Sequence, residues 1–172
     1  LVSVKVSTPA DVEMVAVGSY HAGANIIHLD GSYGGTGAAP DVAKKNIAMP
    51  IELALERTHR FLLAEGIRDR LVVIASGGIR TPMDMLKAVA LGADGVVVGT
   101  AELIAISCVM CRNCEKDRGC PRGIATTDAD LAPWLDPGWV ADRISNLYRC
   151  WEQELRQLLG ALGLSSIGAL RG

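Results

Sequence analysis

The stretch Thr81–Thr100, "TPMDMLKAVALGADGVVVGT", is echoed near the start of the chain by Thr8–Gly31, "TPADVEMVAVGSYHAGANIIHLDG". Each copy begins Thr-Pro-x-Asp and passes through an apolar segment. Each then crosses a Gly-Ala pair and a polar residue into an apolar strand that runs into glycine. Thr81 reads as a helix cap, Pro82 as the first helical residue and Asp84 as a carboxylate at the positive helix end. The same reading puts Thr8, Pro9 and Asp11 at the start of the first helix. Self-similarity on this scale marks stacked βα units. Apolar strands alternating with helices predict a parallel sheet buried on both faces.

Outward from these copies the pattern continues. Val2–Val6 alternates as a strand, and "NIIHLDG" (Asn25–Gly31) is a second strand followed by the glycine-rich loop "SYGGTGAAP". A long helix is expected from about Met49 to Glu65. "LVVIA" (Leu71–Ala75) is a third strand with the loop "SGGIR", and "GVVVGT" (Gly95–Thr100) is a fourth. Four βα units are visible where a (β/α)8 barrel has eight and typically about 250 residues. The expected fold class is therefore α/β, the C-terminal half of a (β/α)8 TIM barrel. A small open α/β sheet is the alternative. The organisation expected is residues 1–107 as half barrel, 108–131 as a cysteine loop and 132–172 as a helical tail. In that tail Asp136 caps a long helix opened by Pro137, and Trp139, Ile144, Leu147, Trp151, Leu155 and Leu158 recur at helical spacing. All three tryptophans lie in this region and are expected to pack against the barrel or a partner.

Composition narrows the class. The 172 residues are 49% hydrophobic and 21% charged, with net charge −2, which suits a folded soluble domain and argues against a broad nucleic-acid surface. No apolar run reaches the roughly 18 residues needed to span a membrane. "LVSVKV" carries neither a secretory signal nor an initiating Met, so the chain reads as cytoplasmic and as starting within a longer protein.

In a (β/α)8 barrel, ligands sit at the C-terminal strand ends. Ser76, Gly77 and Gly78 leave the third strand, and Gly99 and Thr100 leave the fourth. Glycine lets backbone N–H groups approach an anion without a Cβ in the way. These five residues are candidate phosphate-loop residues for a flavin mononucleotide or a sugar phosphate, or else they simply turn the chain. Lys5 points away from Val2, Val4 and Val6 near the end of the first strand. It could hold a flavin ring edge or a substrate carboxylate, or snorkel at the surface. Gly34 and Gly35, within "GGTG", form a close-approach loop for a carboxylate or a tunnel gate, or an irregular turn. His28 and Asp30 could line the same cavity and are assigned no acid or base role.

Cys108, Cys111, Cys114 and Cys120 give C-x2-C-x2-C-x5-C, with Pro121 directly after. In a reducing compartment, clustered thiolates point to a metal, and the compact run favours an iron–sulfur cluster over split zinc knuckles. Cys150 stands apart on the tail helix as a packing residue.

The blocks "VSVKV", "GSYGGTGAAP", "IASGGIRTPMDMLKAVALGADGVVVGTAEL" and "CVMCRNCEKDRGCPRGIATTD" together resemble the FMN-binding synthase domain of glutamate synthase, over roughly residues 1–130. The tail looks like that of short glutamate synthase-like proteins, including a subunit of N-methylglutamate synthase. The resemblance implies a barrel with FMN at its mouth. It implies that 2-oxoglutarate and ammonia form 2-iminoglutarate, that reduced FMN delivers hydride to give L-glutamate, and that an iron–sulfur cluster relays electrons. It implies roles for Lys5 at flavin and 2-oxoglutarate, for Gly77, Gly99 and Thr100 in the phosphate loops, and for Cys108, Cys114 and Cys120 as ligands of a 3Fe-4S cluster. Cys111 is an additional thiol, and were it a fourth ligand the cluster would be 4Fe-4S.

Three features depart from the large bacterial enzymes. "GSYGGTG" stands in place of "GHDGGTG", Ser76–Gly78 in place of "DGQ", and the last cysteine spacing is one residue longer. No amidotransferase segment is present, so separate amidotransferase or electron-donor subunits are expected as partners. Half a barrel exposes two sheet edges and its inner face, which predicts an oligomeric or poorly soluble chain in isolation. The competing readings are an N-methylglutamate synthase subunit using methylamine-derived nitrogen, a non-catalytic cluster-bearing subunit, and a zinc-stapled sugar-phosphate barrel.

Overall fold

A computed structural model of the chain describes residues 1–32, 40, 42 and 47–171. Four parallel strands, β1 (Ser3–Ser7), β2 (Ile26–Asp30), β3 (Val72–Ser76) and β4 (Gly95–Val97), lie side by side in chain order. Between them run the helices α1 (Val12–His21), α2 (Ile51–Ala64) and α3 (Pro82–Ala90). After β4 come a short helix α4 (Thr100–Ala105), the cysteine loop and the 25-residue α5 (Pro137–Ala161). Sequential parallel strands joined by helical crossovers are the repeating unit of a (β/α)8 barrel. The chain carries four such units.

Period-two alternation divides the sheet. Ile27, Leu29, Val73 and Ala75 are fully buried against Val12, Ala16, Ala54, Leu55 and Leu62 of α1 and α2. The opposite face carries Ser3, Lys5, Ser7, His28, Asp30, Ile74, Ser76 and Val97. Among the described residues, helices cover only the first face. The opposite one is the exposed inner face expected of half a barrel: Val72 and Val97 remain 41% and 47% exposed on it.

The two Thr-Pro copies behave differently. Thr81 caps α3 in a full capping box with Asp84, and Pro82 is its first residue. Thr8 caps nothing: it is fully buried, its hydroxyl donates to the Met49 carbonyl at 2.6 Å, and α1 begins four residues later, after Asp11. Asp136 caps α5 by accepting from the Trp139 N–H at 2.6 Å. The tail packs against α3 and α4, so it extends the helical layer beside the sheet. Of the three tryptophans only Trp151 is buried; Trp134 and Trp139 are 68% and 39% exposed.

One buried cation ties the lower ends of the strands together. Arg68 is 3% exposed and donates to His59 Nδ1 at 3.0 Å, to the Leu71 and Gly92 carbonyls at 2.9 and 2.7 Å, and to Asp94 at 2.9 Å. Asp94 also accepts from the Val73 N–H at 2.8 Å and pairs with Arg171 at the end of the tail. Burial lowers the His59 pKa, and the neighbouring Arg68 and Arg171 charges lower it further.

Candidate functional site at the strand ends

A cleft of about 1240 Å3 opens at the C-terminal ends of the strands, where barrel sites are built. Lys5, Ser76, Gly77, Gly78, Gly99 and Thr100 all line it. Gly34 and Gly35 lie outside the described residues. The cleft is roomier than the 300–1,000 Å3 common for small-molecule sites, and it reaches from β1 across to the tail helix.

The glycines are not equivalent. Gly77 and Gly78 have φ of +83° and +84°, a left-handed backbone that favours glycine. A Cβ on Gly77 would lie 2.4 Å from the Ser32 backbone nitrogen, so Gly77 is what lets the β3 loop close on the β2 loop. Gly31 continues that contact by donating its N–H to the Ser76 carbonyl at 2.8 Å. At Gly78 and Gly99 a Cβ would meet nothing within 4 Å. Those two positions keep the floor of the cleft free of side chains.

The polar face of the sheet is ordered by its register. Lys5 is level with His28, yet its ammonium reaches Asp30 Oδ2 one pleat higher on the neighbouring strand, at 2.7 Å. His28 is level with Ile74 and bonds Ser76 Oγ at 2.7 Å along the same diagonal. Asp30 Oδ1 also accepts from the Ser32 N–H at 3.0 Å and from its hydroxyl. Burial alone would raise the Asp30 pKa, but the hydrogen bonds from Lys5 and Ser32 outweigh it and hold the carboxyl at about 2. Burial lowers the His28 pKa and the Lys5 charge adds to that, with Asp30 opposing. The cleft is therefore lined by the Lys5–Asp30 pair and Ser76, while His28 is tied to Ser76 and does not itself line it. The sequence placed His28 and Asp30 in the cavity but missed this pairing. It also missed the wall that α5 supplies through Arg143, Cys150 and Trp151. The diagonal reach could have been found from strand register; the α5 wall depends on how the tail docks.

The cysteine loop is held by local backbone geometry. Cys120 is buried, and its thiol pKa is lowered by the Ala125 N–H, against the effect of burial, with further N–H bonds from Arg122, Ile124 and Gly123. Cys108 accepts from the Met110 N–H at 3.5 Å, and Ser107, Met110 and Arg112 take left-handed backbone. Cys111 and Cys114 are exposed, and Cys114 borders a hollow of about 440 Å3 facing Ile124–Thr127. Among the described residues, no three His, Cys, Asp or Glu side chains come together at metal-binding range, so the four thiols are not gathered at one point. The N–H groups around Cys120 do suit a thiolate that carries metal.

Comparison with known proteins decides the family. Residues 1–165 match the family described as the conserved region in glutamate synthase. The chain belongs to this family. It is 43% identical over 171 residues to the archaeal glutamate synthase (NADPH) of Archaeoglobus fulgidus, covering 99% of this chain and 33% of that protein. The archaeal-type enzyme of Dehalococcoides mccartyi is 44% identical, with 34% of its length covered. Ferredoxin-dependent glutamate synthase 1 of Arabidopsis thaliana is 37% identical, with 10% covered. The chain thus spans about a third of the archaeal-type relatives. Among solved structures, mandelate oxidase bound to (S)-4-hydroxymandelic acid superposes with TM-score 0.60 at 24% identity, covering 98% of this chain and 35% of that one. Flavocytochrome b2 with sulfite bound gives 0.59 at 20%, covering 97% and 33%. These likenesses establish the fold that glutamate synthase residues 1–165 adopt here.

Proposed function

We propose that this chain is the FMN- and substrate-facing part of a glutamate synthase. The observation that carries the reading is the convergence of Lys5, Ser76, Gly77, Gly78, Gly99 and Thr100 on one cleft. Gly78 and Gly99 leave room for a phosphate to approach the backbone, and Thr100 offers a hydroxyl beside it. Strands lie about 4.8 Å apart, so the loops of β3 and β4 and the Lys5 ammonium on β1 stand roughly 10–14 Å apart across the sheet. That span suits a phosphate at one end and a ring at the other. FMN bound there would supply the hydride that reduces 2-iminoglutarate to L-glutamate. Lys5 would orient an anionic group at the ring end, either a flavin edge or a 2-oxoglutarate carboxylate. Cys108, Cys114 and Cys120, joined by Cys111 if the cluster takes four ligands, would hold an iron–sulfur cluster. Their spacing and the N–H groups around Cys120 support that assignment. Ammonia would be supplied, and electrons delivered, by other segments or subunits of the synthase. No helix among the described residues is long and apolar enough to cross a membrane.

Anaerobic assay of the full-length protein tests this. Glutamate should form from 2-oxoglutarate and ammonium with a chemical reductant, and Lys5→Met should lower kcat/KM for 2-oxoglutarate while the protein stays folded. A flavin-free protein that still carries iron and sulfide would instead be a cluster-bearing subunit without catalysis. N-methylglutamate formed from methylamine in preference to glutamate would move the assignment to that synthase.

A further inference from the structure

We propose that Asp30 is the counterion of Lys5 in the cleft, and that this pair sets how readily a flavin seated there accepts electrons. The inference rests on the FMN reading above. It starts from an asymmetry within the ion pair. The Asp30 side chain is 15% exposed and fixed by Ser32, whereas the Lys5 side chain is 57% exposed and reaches in from an edge strand. Asp30 is therefore the anchored partner and Lys5 the reaching one. Asp30 acts on a ligand through Lys5, as a positioning residue.

Two-electron reduction of a flavin with uptake of one proton leaves one added negative charge on the ring. An isolated lysine ammonium at the ring edge would favour that charge strongly in a poorly solvated site. A carboxylate 2.7 Å from the same ammonium cancels most of that effect and leaves a dipole. The carboxyl stays ionised throughout the working pH range, since its pKa is held at about 2. Among the described residues the cleft lining also carries Arg80 on the β3 loop, and Arg143 and Glu154 on α5. Asp30 thus offsets the charge of the Lys5 ammonium at the pair itself.

Equilibrium redox titration of the FMN-loaded full-length protein with dithionite against a reference dye tests this. Asp30→Asn should make the flavin at least tenfold easier to reduce, about 30 mV for the two-electron couple. Asp30→Glu keeps the charge and should stay near wild type. The double variant Lys5→Met with Asp30→Asn removes both charges and should also return near wild type, which loss of a merely structural contact would not produce. Asp30→Ser is the alternative if Asn is not tolerated. An unmoved potential in flavin-loaded Asp30→Asn, or a double variant that keeps the single variant's shift, overturns this inference alone. A full-length protein that binds no FMN overturns the underlying reading with it.

Discussion

Three glycines that look alike in the sequence should respond differently to substitution. Gly77 combines a positive φ with a backbone neighbour 2.4 Å from where its Cβ would stand. An alanine there meets left-handed strain of ~1–2 kcal/mol and overpacking of ~1–3 kcal/mol, so Gly77→Ala should destabilise the protein by roughly 2–5 kcal/mol. Gly78 has the same backbone sign with open space around it, so Gly78→Ala should cost only the strain, ~1–2 kcal/mol. Gly99 has negative φ and open space, and Gly99→Val should leave stability close to wild type while its branched side chain fills the phosphate approach. Urea denaturation and FMN titration of the full-length variants separate the two effects. The expected pattern is stability loss at Gly77, a smaller loss at Gly78, and FMN affinity reduced at least tenfold at Gly99. Wild-type stability in Gly77→Ala would refute the loop-closure argument. Wild-type FMN affinity in Gly99→Val would refute the placement of the phosphate.

Arg68→Met removes a buried cation that serves Asp94, His59 and two carbonyls, and it should cost about 3–5 kcal/mol in denaturation; a loss under about 1 kcal/mol would show the network to be dispensable. His59 has a pKa below its ordinary 6.5, so on acidification the unfolded chain takes up this proton before the folded one does. Its contribution is full above pH 6.5 and declines as pH falls through 6.5 toward the folded value. His59→Gln should flatten the stability profile between pH 7 and 5, and an unchanged slope would remove His59 from the explanation. Cys114→Ser should abolish bound iron and sulfide. Cys111→Ser should do so only if the cluster uses four cysteines, which EPR before and after reduction can read.

Much of the fold is legible because hydrophobic periodicity and turn chemistry act locally. The pattern of Ile27, Leu29, Val73 and Ala75 fixes which sheet face meets the helices, and Thr81, Asp84 and Asp136 cap where they are expected to. Thr8 misleads because an identical dipeptide start was diverted to a long-range bond with Met49, a tertiary demand that local propensity does not register. The covering of the sheet follows only when the units are counted, since four units leave the inner face of a half barrel open. Apolar strands announce that both faces need burial but not whether the same segment supplies the cover. At the site, the glycine loops and Lys5 announce themselves by residue type. The Lys5–Asp30 and His28–Ser76 pairs emerge only once register is known, because each bond runs diagonally between strands distant in sequence. The cysteine spacing is what suggests ligand chemistry, and among the described residues the thiols are not gathered at one point.

Cofactor content of anaerobically purified full-length protein tests the functional reading most directly: acid-released FMN, iron and acid-labile sulfide determined on one preparation. FMN in stoichiometric amount, with iron and sulfide released together, is the predicted result. Zinc without sulfide and no flavin would contradict it, and would make the glycine loops and cysteines parts of a different kind of barrel.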